Sequence, residues 1–519
     1  MLGKTHIMMS LLLRRKKKLN EKISPANIDK DALNVIHRLN KSGYTAYLVG
    51  GGVRDILLGR TPKDFDIVTN ARPRQIRQLF KNAFLIGRRF RLALIVFGDK
   101  QIETSTFRRA PNPNEDADQS AVGALYQDAD NLFGTPEQDA QRRDFTVNAL
   151  FYDVKTSSII DYTGGMKDLE NGVLRSIGDP NIRFREDPVR MLRAIRLSAR
   201  LDFKIHSDSL KAIAKHGDEI LQASKPRIFE ETMRLFGFSK AEASFRKLWD
   251  SKLMARLLPE IEEYLKISGG KKSQLWNYLN AFDKLNNEYN TDDKQSRTYI
   301  SDVALKMSTL IAPIFLSQIS PTASIEERYE LANQLIFKIF KSPFSTPAWN
   351  LPKLICFSVA EALVSFDFYK TKQLKRNKLY NKQAYPLIEA LWKISATARE
   401  DEEALNEIEA WNNGFKKFVE LNPIEPQHQA QRDEYEMFPH TSKAKNNNQP
   451  QQQQSVQGND GEEAPIKKKK RRKRKKGNKN PNLNPNNPTT PVAGEEASVN
   501  VASPTPAQTQ EAPATNKEA

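Results

Sequence analysis

Residues 47–71, YLVGGGVRDILLGRTPKDFDIVTNA, constrain the fold more tightly than any other stretch of the chain. TAYLV (45–49) reads as a short strand that runs straight into three glycines. VRDILLG then opens a helix closed by Gly59, and FDIVT (65–69) returns as a second strand. A glycine run between a strand and a helix exposes backbone N–H groups and lets an oxygen-rich anion come close. On the glycines alone, a tight strand-to-helix turn accounts for them equally well. Two named phosphate motifs do not apply. The Walker pattern needs a later Gly-Lys-Ser/Thr, which is absent, and the dinucleotide fingerprint needs glycine where Asp55 stands.

Asp64 and Asp66 stand at i and i+2, so on an extended chain they project from one face, roughly 7 Å apart. Carboxylates placed in this way repel each other unless a cation lies between them. Paired metal ions sit about 3.5–4 Å apart, a separation that aspartates on one strand can bridge. Apolar neighbours in FDIV favour a strand within a sheet over a solvated loop. Gly50, Gly51, Arg54 and Asp55, followed by Asp64 and Asp66, thus set a phosphate cradle beside a metal clamp. In-line nucleotidyl transfer requires both. A third carboxylate is expected from a neighbouring strand. Glu103 in QIETSTFR has that context, and Asp144 in RRDFTVNAL is its rival, able to hold a metal or a ribose hydroxyl. Arg142 and Arg143 beside it suit a triphosphate.

The pattern along the chain is an α/β unit followed by helices. Ala32, Leu33, Ile36 and Leu39 predict a helix over 24–43, ended by Gly43. RPRQIRQLFKN predicts another helix, and RLALIVFG with KQIETSTF predicts a β-hairpin turning near Gly98 and Asp99. Residues 108–141 lack periodicity, the pattern of a mobile lid or of disorder. GGMKDLENGVLRSIG supplies turns that close the unit near residue 180. In DPVRMLRAIRLSARL, Asp187 is the expected N-cap and Pro188 the first helical residue. Helical spacing continues to about residue 420, and beyond 440 the glutamine, lysine/arginine and proline runs cannot build a core.

Charge narrows the partners. The net charge is +18 and the pI about 9.6, so an anionic partner is the first expectation. KKKKRRKRKK (467–476) alone supplies ten of those charges and leaves +8. The lone cysteine, Cys356, excludes a disulfide framework and a cysteine-rich zinc site. It is expected as a small core hydrophobe in a chain of the reducing cytoplasm. No apolar run approaches the ~20 residues that span a bilayer, and MLGKTHIMMSLLLRRKKK carries its charge after its apolar stretch, unlike a signal peptide.

Four segments in order, LVGGGVRDILLGRTPKDFDIVTNA, IETSTFR, RRDFTVNALFYD and FREDPVRMLRAIRLSARL, resemble the class II nucleotidyltransferases. This is the family of bacterial poly(A) polymerases and tRNA CCA-adding enzymes. The resemblance implies an α+β nucleotidyltransferase head, a mixed β-sheet with helices, followed by an all-helical neck and body. The expected boundaries are a disordered basic leader at 1–23, the head at 24–180, the neck at 181–238, an RNA-binding body at 239–440 and a disordered basic tail at 441–519. It implies two Mg²⁺ ions, with Asp64, Asp66 and Glu103 as metal ligands and Asp144 among the catalytic carboxylates. It further implies nucleotide contacts at Gly50, Gly51, Arg54 and Arg143, and base reading by Asp187 and Arg190 of the EDPVR element. Arg227 is a further candidate on the neck side of the pocket, whereas Arg193, Arg196 and Arg200 read as a solvated basic stripe.

The poly(A) polymerase branch is favoured by GRRFR (87–91), the acidic insert before RRDF and the basic tail, which suits a sequence-independent tether to RNA. The expected activity is template-independent addition of AMP from ATP to RNA 3′ ends with release of pyrophosphate, promoting RNA processing and decay. ATP, RNA 3′ ends and RNA-decay proteins are the expected partners of a monomer. CCA addition to tRNA is the nearer alternative, and a non-catalytic RNA-binding protein the more distant one. Over 240–420 the resemblance is architectural only, although the basic and aromatic segment 370–392 is expected to lie along RNA.

Overall fold

The computed structural model describes residues 23–86, 92–110, 132–288, 303–347, 350–366, 376–380, 382 and 384–422. All of them belong to one compact unit, Met1–Lys445. The leader through residue 22, the GRRFR cluster, most of the acidic insert and the basic tail lie outside the described residues, as do 370–375.

Helix α1 (Lys30–Lys41) starts where Asp29 caps it, accepting from the N–H groups of Asp31 and Ala32 at 2.8 and 3.4 Å. It buries Ala32, Val35, Ile36 and Leu39. Strand β1 (Ala46–Val49) leads into α2 (Gly51–Leu57), and β2 (Asp66–Thr69) into α3 (Pro73–Leu79). Three strands follow, β3 (Ala83–Ile86), β4 (Leu92–Phe97) and β5 (Lys100–Thr106). The predicted β4/β5 hairpin forms, with Phe97 opposite Lys100 across Gly98 and Asp99. Gly98 takes φ +56°, which a two-residue hairpin turn demands. β3 had no sequence signal because its middle residues, Phe84 and Leu85, are exposed on a sheet edge.

After the insert come α4 (Pro136–Arg142), β6 (Leu150–Asp153), β7 (Ser158–Asp161), α5 (Gly165–Asn171) and β8 (Val173–Leu174). Two of these correct the sequence reading. The supposedly structureless 108–141 contains α4, whose capping box joins Thr135 and Gln138. GGMKDLENGVLRSIG is a helix between Gly164 and Gly172, both in left-handed conformation, not a set of turns.

The sheet order is β3-β4-β5-β2-β1-β6-β7. Only β2 and β5 pair in parallel, with Ile67 against Thr104, so the sheet is mixed as the resemblance implied. The side-chain period of two divides it into two faces. Leu48, Ile67 and Ile102 enter the main core with α1, whereas Val49, Val68, Phe107 and Phe151 form a smaller cluster on the other face. Asp66 shares the face of Val68, and Glu103 that of Phe107. The site therefore lies on the thinly covered side of the sheet.

Helices follow: α6 (Pro180–Glu186), α7 (Val189–Leu201), α8 (Ser207–His216) and α9 (Lys225–Arg234). Strand β9 (Lys204–Ile205) pairs with β8, tying the helical region back to the head. Asp187 is not the N-cap of α7. It closes α6, Pro188 holds the cap position without a side-chain bond, and the Asp187 carbonyl accepts from Arg190 N–H at 3.0 Å. Two helices meeting at Asp-Pro mimic a cap in sequence.

The body continues through α10 (Ala241–Asp250), α11 (Gln274–Glu288), α12 (Val303–Gln318), α13 (Ile325–Ile336), a π-helical turn at Phe337–Lys341, α14 (Lys353–Val364), α15 (Tyr385–Arg399) and α16 (Glu402–Leu421). The aromatic residues of 370–392 turn inward. Tyr380, Tyr385 and Trp392 are buried and pack on Trp411 and Phe415 at ring distances of 4.5–5.9 Å. Helical spacing put them on the core side, so they are not available to stack on RNA. No described helix is long and apolar enough to cross a membrane.

Candidate active site

A cavity of 860 Å³ opens between the head sheet and the face of α7 and α9. Ten arginines and seven carboxylates line it, which leaves a positive surplus suited to a polyphosphate. Val49 ends β1 directly opposite Asp66 on β2, and Glu103 lies one residue before the Ile67–Thr104 pair on the adjacent strand. Asp66 and Glu103 are thus neighbours in the cavity wall.

Asp64 is the exception to the geometry expected of the Asp-x-Asp pair. The strand starts at Asp66, and Asp64 lies exposed in the loop before it. It remains near enough to act on Asp66. Burial first, then the Glu103 charge, push the Asp66 carboxyl up to about 6; Arg143 opposes them and Asp64 adds to them. Among the described residues no three carboxylates, histidines or cysteines converge into a closed metal site. Asp66 and Glu103 nonetheless fit a divalent cation, because gathered like charges of this kind are relieved by a positive ion.

The glycines now have separate duties. Gly50 has φ +75°, and a side chain there would come 3.4 Å from Arg143 Nη1 and 4.0 Å from Asp66 Oδ2. Gly51 faces the Arg54 guanidinium, and a side chain at Gly52 would come 3.3 Å from the Asp64 carbonyl oxygen. The run lets α2 start against the loop and the aspartates at once. Gly50 N–H itself is used by the Leu150 carbonyl at 3.1 Å.

Arg54 does not point freely into the cavity. It is 2% exposed, donates to Asp55 Oδ1 through Nε and Nη2, and donates to Asn148 Oδ1 through Nη1. Asn148 Nδ2 in turn donates to Asp144 Oδ1 at 3.0 Å, which also accepts Phe145 N–H. Arg193 donates to Asp144 Oδ2 through Nε and Nη2, at 2.9 and 2.6 Å. Burial pushes the Asp144 carboxyl up, but Arg193 and these hydrogen bonds outweigh it and hold it at about 2. Asp144 is therefore an anchor ionised at neutral pH with both oxygens engaged.

The arginines of α7 do not form a solvated stripe. Spaced three and four apart, Arg193, Arg196 and Arg200 share one face and each finds a carboxylate. Arg193 pairs with Asp144, Arg196 with Glu231 at 3.0 Å, and Arg200 with Asp55 at 2.7 Å. Glu231 also takes Arg193 at 3.5 Å and Arg234 at 2.9 Å. The result is a belt running Arg200–Asp55–Arg54–Asn148–Asp144–Arg193–Glu231–Arg196 that fastens the head to α7 and α9. Sequence reading missed Asn148 and Glu231, whose partners Arg54 and Arg196 lie 94 and 35 residues away in the chain. It also missed Asp139, which binds Arg143 at 2.8 Å and had a legible i,i+4 spacing.

Asp187 and Arg190, the expected base readers, both line the cavity. Arg227 donates to Asp187 Oδ2 at 2.9 Å, whereas Asp187 Oδ1 is buried without a hydrogen-bond partner. Arg190 is held by the Arg183 carbonyl and by Glu186, at 3.2 and 3.4 Å.

A mixed sheet with paired carboxylates, a glycine entry and an arginine-lined cavity closed by helices has the parts that metal-assisted nucleotidyl transfer needs. Residues 46–175 match the family described as Poly A polymerase head domain. Residues 202–265 match a second family, described as "Probable RNA and SrmB- binding site of polymerase A". Poly(A) polymerase I of Salmonella typhi is 46% identical over 252 residues, covering 48% of this chain and 54% of that protein. The CCA-adding enzyme of Enterococcus faecalis is 38% identical over 215 residues, covering 40% and 48%. The chain thus spans about half the length of the relatives it matches. Among solved structures, the Bacillus stearothermophilus CCA-adding enzyme in complex with CTP aligns with TM-score 0.50 and 24% identity, over 78% of this chain and 84% of that one. That likeness shows a shared fold.

Proposed function

We propose that the chain is a poly(A) polymerase, adding AMP from ATP to RNA 3′ ends without a template and releasing pyrophosphate. The observation that carries this reading is the junction of Asp66 and Glu103 with an arginine-lined cavity, in a head whose relatives at 46% identity are poly(A) polymerases. Two Mg²⁺ ions held by Asp66, Asp64 and Glu103 would supply activation of the RNA hydroxyl and charge neutralisation at the leaving pyrophosphate. Glu103 is the better third carboxylate, because Asp144 is spent on Arg193 and Asn148.

The other roles fall to the chain's own groups. Arg143 and the Gly51 backbone face the triphosphate, Gly50 leaves room for its approach, and Arg54 supports them from behind as a buried charge. Asp187 Oδ1 accepts a hydrogen bond from the exocyclic amino group of the base, while Arg227 holds the carboxylate still. Arg190, braced by Glu186, presents its remaining N–H groups to the base. The RNA 3′-hydroxyl attacks the α-phosphate from the sheet side. Cytoplasmic location, a monomeric state and RNA-decay partners remain part of the same proposal.

Asp66→Ala tests it with a labelled RNA primer and ATP. The variant should lose extension while retaining most RNA binding by gel shift. Substantial retained extension contradicts the assignment of the centre.

A further inference from the structure

A second cavity of 340 Å³ lies in the body, between α13 and α14. Tyr329 and Asn333, one turn apart on α13, form one wall. Lys353, Cys356 and Phe357 of α14 form the other, and Lys341 closes the end. No carboxylate lines it. Among the described residues neither lysine has a carboxylate within the 4.0 Å of an ion pair. Phe357 is 58% exposed, and Phe337, one turn beyond Asn333, is 57% exposed. Large apolar rings left in water beside unneutralised lysines are an unfinished surface.

The tyrosine wall is fixed from behind. Glu361 is buried, accepts from the Tyr329 hydroxyl and pairs with Lys382 at 2.5 Å. Lys341 ends the π-helical turn Phe337–Lys341, a distortion that recurs at functional sites. That turn also carries Phe340, which with Phe344 packs on Phe229 of α9 at 6.3 and 5.5 Å. Arg227, Glu230 and Glu231 of the same helix line the nucleotide cavity. One aromatic joint thus connects the groove to the catalytic side.

We propose that this groove binds single-stranded RNA upstream of the 3′ end. Phe357 offers a face for a base to stack on, while Lys341 and Lys353 meet backbone phosphates. The charge selects this occupant, since two unpaired cations and no carboxylate match a polyanion. The inference rests on the polymerase reading and supplies the RNA path that the buried aromatics of 380–392 do not.

The test uses the full chain, Phe357→Ala, and a Lys341→Glu/Lys353→Glu variant. Phe357 and Lys353 are exposed and Lys341 is half-buried at the groove's end, so none of the three changes opens the core. Fluorescence anisotropy measures binding of a 20-nucleotide oligoadenylate, and extension of a triadenylate primer reads chemistry on an RNA too short to occupy the groove. Phe357→Ala should weaken 20-mer binding roughly tenfold. The double reversal should flatten the salt slope of log K by roughly 1.4. Triadenylate extension should be unchanged in both. Unaltered 20-mer affinity and salt slope overturn the proposal, including where the variants instead shed a co-purifying protein. A wild-type chain that extends neither primer refutes the polymerase reading, and the 20-mer affinities still judge the groove.

Discussion

Asp66 carries its charge against the local environment, since burial, Glu103 and Asp64 together push its carboxyl up to about 6. Asp144 is its opposite, held at about 2 because Arg193, Asn148 and Phe145 N–H outweigh burial. Substitutions should separate them. Asp66→Asn removes repulsion, so melting temperature without divalent ions should hold or rise while AMP addition falls at least about 10³-fold. Asp144→Asn strands Arg193 and should cost about 2 kcal/mol at neutral pH by urea unfolding. That cost has a definite pH sign. The folded carboxyl titrates below its ordinary 3.8, so its stabilisation is complete above that value and is lost as pH falls toward 2. The stability gap between wild type and Asp144→Asn should therefore close across that window. A gap independent of pH would show that the ion pair is not its source. The sequence made Asp66 and Glu103 legible through strand pairing. It could not show that Asp64 leaves the strand, because DFD looks extended whether or not its first residue joins a ladder.

At the scale of elements, α7 shows what periodicity reveals and what it conceals. The spacing of Arg193, Arg196 and Arg200 put them correctly on one helix face. Whether that face meets water or carboxylates depended on Asp144, Glu231 and Asp55, which lie 49, 35 and 145 residues away in the chain. No local pattern carries that information. Glu231 is the hub, buried among Arg193, Arg196 and Arg234. Glu231→Ala should cost about 3–5 kcal/mol, because it leaves the largely buried Arg196 guanidinium without its carboxylate and weakens the hold on Arg193 and Arg234. A cost within 0.5 kcal/mol, ordinary for a surface position, would restore the solvated stripe. The missed elements have similar physical causes. β3 exposes its apolar residues at an edge, and α6 ends at the Asp187-Pro188 step that imitates the start of the next helix.

Across the whole molecule the mixed sheet followed by helices was legible, since the central strands have their own apolar runs and the later spacing is helical. The RNA path in the body was not. Aromatic and basic residues over 370–392 looked like a nucleic-acid surface, yet Tyr380, Tyr385 and Trp392 build the core. The charge of 467–476 belongs to this scale too. Removing residues 441–519 should weaken RNA binding and reduce its salt dependence, whereas an unchanged slope would deny the tether. The most direct measurement for the account as a whole offers the chain a labelled RNA primer with each ribonucleoside triphosphate in turn. A long adenosine ladder with ATP alone is the predicted result. On tRNA, a stop after two additions with CTP and after three with CTP and ATP together would make the chain a CCA-adding enzyme, and no extension with any nucleotide would contradict the catalytic reading altogether.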